Sequence, residues 1–177
     1  ADEGIDTGPV ILQERIPIEA SDTYGTLQTK LAYLAAKLAA DLLKILSFGT
    51  ILPATAQDET KARYYDMPSA DALTIRWDTM TAAEIIRMVN ACNPWNKGAG
   101  ALVGDWFIGI TEAMIAGDAP ADHTPAGTVL HCDKANGLIV KTKDEKQLQV
   151  SVVYTSEGFF SGSRMASFGI KPGMQFR

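Results

Sequence analysis

The sequence predicts half of an α/β unit followed by a small, mainly β barrel. Three observations carry that reading. Leu27, Leu31, Leu34, Leu38, Leu42 and Ile45 recur at spacings of three and four, the signature of one apolar stripe along a helix. An apolar run, Val10-Ile-Leu12, precedes that helix as a short strand would. After Asn93-Pro94-Trp95 the texture changes to short β-branched or alternating runs, separated by Gly, Asp and Asn.

Taken in order, Pro9 to Ile18 reads as a strand with a less regular extension. Ser21 or Asp22 supplies an N-cap, and the helix runs about five to six turns until Gly49, a residue that tolerates the left-handed C′ position. A strand and a long amphipathic helix need further strands to pack on. Thr50 to Arg76 lacks sustained periodicity, contains Pro53 and Pro68, and reads as an extended linker anchored by Tyr64 and Tyr65. Thr81-Ala-Ala-Glu84 is a capping box, opening a helix with Ile85, Ile86 and Val89 inward that stops at Asn93-Pro94. Strands are expected at Trp106–Ile110, Ala113–Ile115, Gly127–His131, Gly137–Lys141 and Gln147–Tyr154. A solvated hairpin turn is expected at Lys143-Asp-Glu-Lys146, and a last short strand after Lys171-Pro-Gly173. Five or six such strands make a closed or partly open barrel.

Composition narrows the function classes. An apolar fraction of 46% with 21% charged residues belongs to a folded globular chain rather than a disordered one. The longest apolar stretch, Leu31 to Leu46, is interrupted by Lys37, Asp41 and Lys44 and is too short and too charged to span a bilayer. The first residues are acidic where a secretory leader would be basic. Cys92 and Cys132 are far apart and form no metal-binding spacing, and His123 and His131 lack ligand-spaced partners, so no metal is expected. Two inert thiols suit the cytoplasm. The net charge is −5, and the half from Lys97 onward sums to zero, so the surplus of Lys and Arg on which phosphate binding leans is not visible. The chain opens on an acidic, Gly-containing turn leading into a strand, which makes further upstream sequence an expectation.

That opening, Asp2-Glu-Gly-Ile-Asp6-Thr-Gly-Pro-Val-Ile-Leu12, resembles the Asp-x-Gly-x-Asp-Thr-Gly loop of the N10-formyltetrahydrofolate-dependent formyltransferases. Later segments resemble the same family in the same order. They are Asp22-Thr-Tyr-Gly-Thr-Leu-Gln-Thr-Lys-Leu31, Ile75-Arg-Trp77 with Ala83-Glu-Ile-Ile-Arg87, Asn93-Pro-Trp95, Pro125-Ala-Gly-Thr-Val129 and Lys171-Pro-Gly173. The C-terminal segments are similar to those of the methionyl-tRNA-formylating branch.

The resemblance implies residues 1–49 as the end of a Rossmann-like catalytic domain, 50–76 as a linker and 77–177 as an OB-like barrel. It implies Asp6 as the catalytic carboxylate. Asp2, Glu3, Gly4, Ile5 and Gly8 would lie along the pterin of 10-formyltetrahydrofolate, the formyl donor. The family's Asn-x-His pair and its Ser-Leu-Leu-Pro-type loop are absent from the sequence. In formyl transfer an amine attacks the formyl carbon, and the tetrahedral intermediate must lose one proton from nitrogen and return one to the leaving nitrogen. A carboxylate beside an imidazole raises the imidazole's pKa and holds a water for that relay. The absent Asn and His would stabilise the oxyanion, so the chain alone is expected to be inactive.

The acceptor stays open on the residues. Lys141, Lys143 and Lys146 are candidates for binding methionyl-tRNA, whereas the balanced charge suits a small amine such as an amino sugar. Lys97-Gly-Ala-Gly-Ala-Leu-Val103 reads as an insertion and weakens the tRNA assignment. A third possibility is a non-catalytic OB-like binding module that keeps a relic of the loop. Without upstream strands, or another chain in their place, the Leu27–Ile45 stripe is expected to be exposed. Trp77 and Trp95 read as core anchors.

Overall fold

The computed structural model describes residues 6–49 and 51–177. The chain divides into two compact units, one of residues 1–19 and 26–67, the other of residues 20–25 and 68–177.

The first unit is dominated by α1 (Tyr24–Ser47), whose first two residues belong to the second unit. The helix ends where expected, with Gly49 left-handed at φ +65° and its amide donating to the carbonyl of Leu46. No described residue of this unit is buried, and Leu31 on the apolar stripe is 47% exposed. The expected strand from Pro9 to Ile18 is not formed. Only Val10 pairs, in a two-way bridge with Thr55 at 2.8 and 2.9 Å. A strand exists by virtue of a neighbouring ladder, and among the described residues Thr55 is the only partner here. The tyrosines do not anchor the following segment, since Tyr64 is 95% exposed and Tyr65 is also exposed. A 3-10 turn, Glu59–Lys61, shapes that segment instead, with the Asp58 side chain accepting from the Thr60 amide.

The second unit is a mostly antiparallel sheet with α2 (Ala82–Cys92) packed against it. Its strands are β1 (Ala99–Val103), β2 (Trp106–Asp118), β3 (Val129–Asp133), β4 (Gly137–Lys141), β5 (Lys146–Thr155) and β6 (Gly158–Ser161). They lie in the order β1-β2-β5-β4-β3, with β6 added beside β5. The two edges meet through the C-terminal residues. Leu102 and Arg177 exchange both backbone hydrogen bonds, while the Phe176 amide donates to Gly127 and the Val129 amide to Met174. Both edge strands are thereby relieved of part of their unpaired backbone.

Inside lie Ile75, Trp77, Ile85, Val89, Leu138 and Phe176, among others. Trp77 thus fills the core as expected, and its indole meets the Phe176 ring at 5.3 Å. Trp95 does not, remaining 39% exposed. Helix α2 carries the expected capping box, and Ile85 and Val89 face inward. The Lys143–Lys146 turn is more than a solvated hairpin, because the Asp144 carboxylate accepts from the Ala82 amide at 2.9 Å and so caps α2 a second time.

Three departures from the expected strands have physical causes. The supposed insertion Lys97–Val103 is a turn followed by β1, whose small residues look unlike a strand but fit a crowded place. Gly98 is left-handed at φ +97°, and a Cβ there would lie 2.5 Å from the Ile110 carbonyl oxygen. Opposite it, a Cβ on Gly109 would lie 2.1 Å from the Lys97 carbonyl oxygen. Second, the expected strands Trp106–Ile110 and Ala113–Ile115 are one strand, with register shifts on either side of Glu112 that interrupt the alternation. Third, β6 is only four residues long, too short to announce itself.

Candidate functional site

Asp6 lines a cavity of about 740 Å³ in the first unit, together with Val10, Gln57, Asp58, Lys61, Arg63 and Tyr64 among others. Its side chain is exposed and its backbone is left-handed, at φ +58°. Among non-glycine residues, Asp and Asn tolerate that conformation best. Asp6 rather than Gly8 makes the left-handed turn of this loop. The Gln57 side-chain amide donates to the carbonyls of Asp6 and Gly8, both at 2.7 Å, using its two N–H bonds. Asp2, Glu3, Gly4 and Ile5 lie outside the described residues.

Gln57 was not foreseeable from local pattern, because its partners are 51 and 49 positions away. Beside it, Asp58 accepts from the Thr60 hydroxyl at 2.6 Å and pairs with Lys61 at 3.0 Å. The Thr60 hydroxyl first, then Lys61, hold the Asp58 carboxyl below its ordinary range. Asp6, like Glu59 of the same lining, makes no side-chain ion pair among the described residues. Neither histidine of the chain lies in the unit that holds Asp6. Among the described residues no group of three or more His, Cys, Asp or Glu could hold a metal ion.

The three candidate lysines do not form one surface. Lys141 is a core residue, 1% exposed. Its ammonium reaches the carbonyls of Pro120 and Asp122 at 3.1 and 3.2 Å, the Asp122 carboxylate at 2.9 Å and Glu145 at 2.8 Å. With its donors committed, it is not placed to meet an acceptor. Lys146 is paired with Asp118. Lys143 is exposed, with one bond to the Thr79 carbonyl at 3.3 Å.

Lys141 instead pins the Ala119–Thr124 connection to β4, a role that needed Asp122 to be recognised. Hydrogen bonds from Lys141 and then Thr124 hold the Asp122 carboxyl down at about 2. A depressed carboxyl contributes stability above its unfolded pKa and loses it as pH falls through the folded value. The pin is therefore complete above pH 4 and released toward pH 2. Lys141→Met, which keeps the apolar stem, should lower the hydrogen-exchange protection factor of the Ala119 amide at pH 7, and the wild-type protection factor should fall toward the variant's only as pH drops to about 2. An unchanged Ala119 protection factor in the variant would remove this role.

The profile of the formyl transferase C-terminal domain matches residues 69–159, just over half of the chain. The chain belongs to this family. It corresponds to the C-terminal portion of the family's proteins. Methionyl-tRNA formyltransferase from Ralstonia nicotianae is 35% identical over 139 residues, covering 78% of this chain and 41% of the relative. That from Caldicellulosiruptor saccharolyticus is 34% identical over 170 residues, covering 93% of this chain and 53% of the relative. The chain thus spans about half the length of these relatives. Among solved structures, a variant of HypX from Aquifex aeolicus matches 97% of this chain and 31% of its own, with TM-score 0.72 and 16% identity. HypX in complex with tetrahydrofolic acid matches with TM-score 0.71 and 14% identity. At those identities the likeness is one of fold. No helix of the described residues is long and apolar enough to cross a membrane.

Proposed function

We propose that this chain is the C-terminal part of a cytoplasmic formyltransferase that moves a formyl group from 10-formyltetrahydrofolate to methionyl-tRNA. The observation that carries the reading is the 34–35% identity to methionyl-tRNA formyltransferases over most of the chain. The tetrahydrofolic acid in the complex of HypX, whose fold is similar, supports a folate donor.

In this reading residues 1–49 end a Rossmann-like catalytic domain, 50–76 link it onward, and 77–177 form an OB-like domain that presents the acceptor. Asp6 is the catalytic carboxylate. Its exposure, and the clamping of its backbone by Gln57, support a group held ready for a reactant. It would take the proton from the attacking amine through a positioned water and pass it to the folate nitrogen as the C–N bond breaks. The oxyanion would be stabilised by residues of an upstream half, which would also cover the apolar stripe of α1. Asp2 to Ile5 and Gly8 would border the pterin. Of the lysines, Lys143 keeps an exposed ammonium for an acceptor.

The balanced charge from Lys97 onward favours a second reading, a small amine acceptor. The two are separated by giving the full-length protein 10-formyltetrahydrofolate labelled in the formyl group, with methionyl-tRNA or glucosamine. Label on the tRNA, with a rate that falls as salt rises, is the expected result. Label on glucosamine alone would overturn the tRNA assignment.

A further inference from the structure

The loop that carries Asp6 is tied at both ends to one short segment, Thr55 to Gln57. At the far end Val10 and Thr55 exchange both backbone hydrogen bonds, at 2.8 and 2.9 Å. At the near end the Gln57 side-chain amide donates to the Asp6 and Gly8 carbonyls, each at 2.7 Å. Only the amide nitrogen can meet two carbonyl oxygens, so these partners fix which way the Gln57 amide points. Gln57 and Asp6 line the same cavity of about 740 Å³.

The bond to the Asp6 carbonyl restrains the peptide plane that leaves the Asp6 Cα, and the bond to Gly8 restrains the plane two residues on. Between them the backbone is left-handed at Asp6, with φ +58°. A non-glycine residue holds that conformation at a cost, and it persists where the surroundings over-determine it. Gln57 is exposed, so water competes for the same donors and the two bonds add little to global stability. Their effect is on direction. A proton relay needs its heavy atoms within hydrogen-bond reach, and a misplacement of about 1 Å can cost roughly 10²-fold in rate.

We propose that Gln57 is a positioning residue for formyl transfer: by clamping the Asp6 and Gly8 carbonyls it aims the Asp6 carboxylate at the reacting nitrogens. It acts through Asp6 and not on the reactants. The proposal rests on the reading of Asp6 as the proton-carrying group. It also gives residues 50–76 a task beyond linking, because they return to the catalytic loop and supply the donor that holds it.

The test is a double-mutant cycle in the full-length protein, with formyl transfer followed as release of tetrahydrofolate from 10-formyltetrahydrofolate. Gln57→Met keeps the length of the side chain and removes both donors. It should lower kcat by roughly 10- to 100-fold while the dissociation constant for tetrahydrofolate stays within about twofold of wild type. In the Asp6→Asn background the same substitution should cost less than about twofold, because a residue that acts only through Asp6 then has no carboxylate to aim. An equal fold-loss in both backgrounds, or a loss of folate affinity that matches the loss of kcat, would make Gln57 a structural residue and overturn the proposal. A kcat for Gln57→Met within about twofold of wild type would overturn it too. If Asp6→Asn alone keeps more than about a tenth of the wild-type kcat, the reading of Asp6 fails first and the proposal falls with it.

Discussion

Asp6→Asn in the full-length protein is expected to lower kcat/KM for formyl transfer by roughly 10² to 10⁴, the usual contribution of a positioned general acid–base group. Asparagine is the informative replacement because Asp6 is left-handed at φ +58°, where an alanine would add backbone strain to the loss of charge. Asparagine keeps the shape and the turn, and removes the ability to carry a proton. The Gln57 bonds to the Asp6 and Gly8 carbonyls should persist, because they involve backbone oxygens only. Folate affinity is then expected to be nearly unchanged, with the loss confined to kcat. A decrease smaller than tenfold would remove Asp6 from the proton path.

Phe176→Ala should destabilise the 177-residue chain by roughly 3 to 5 kcal/mol, the range for deleting a large buried aromatic side chain. Phe176 is 1% exposed, and its ring packs on Trp77. Its amide also belongs to the short segment that joins the two edges of the sheet. A cavity at this point therefore loosens closure as well as packing. Urea unfolding followed by tryptophan fluorescence measures it. A loss below 1 kcal/mol would mean that the C-terminal residues lie on the sheet without completing its core.

Legibility in the sequence followed the range over which each feature is determined. The capping box at Thr81–Glu84, the stop at Gly49 and strand β4 depend on residues a few positions apart, and all three stand where the pattern placed them. The Lys171-Pro-Gly173 turn does too, with Gly173 left-handed at φ +87° and the Met174 amide donating to Lys171. Features set by distant partners were lost. The run Pro9–Ile18 looked like a strand because its residues suit one, but pairing is a property of two segments. Lys97–Val103 looked like an insertion because crowding from Ile110 at Gly98, and from Phe107 and Thr74 at Gly100, requires small residues, and that crowding comes from elsewhere in the chain. Lys141 looked like a surface cation because lysine usually is one. Only the fold shows Asp122 and Glu145 meeting it. The Gln57 clamp on the Asp6 and Gly8 carbonyls joins residues about fifty positions apart and left no local signal.

The central claim is that this chain supplies one carboxylate and an acceptor-binding domain to an active site whose other groups lie in an upstream half. Formyl transfer from labelled 10-formyltetrahydrofolate to methionyl-tRNA, measured side by side for the 177-residue chain and the full-length polypeptide, tests it most directly. The account predicts transfer by the full-length protein and none above background by the chain alone. Transfer by the chain alone, or none by either, would contradict it.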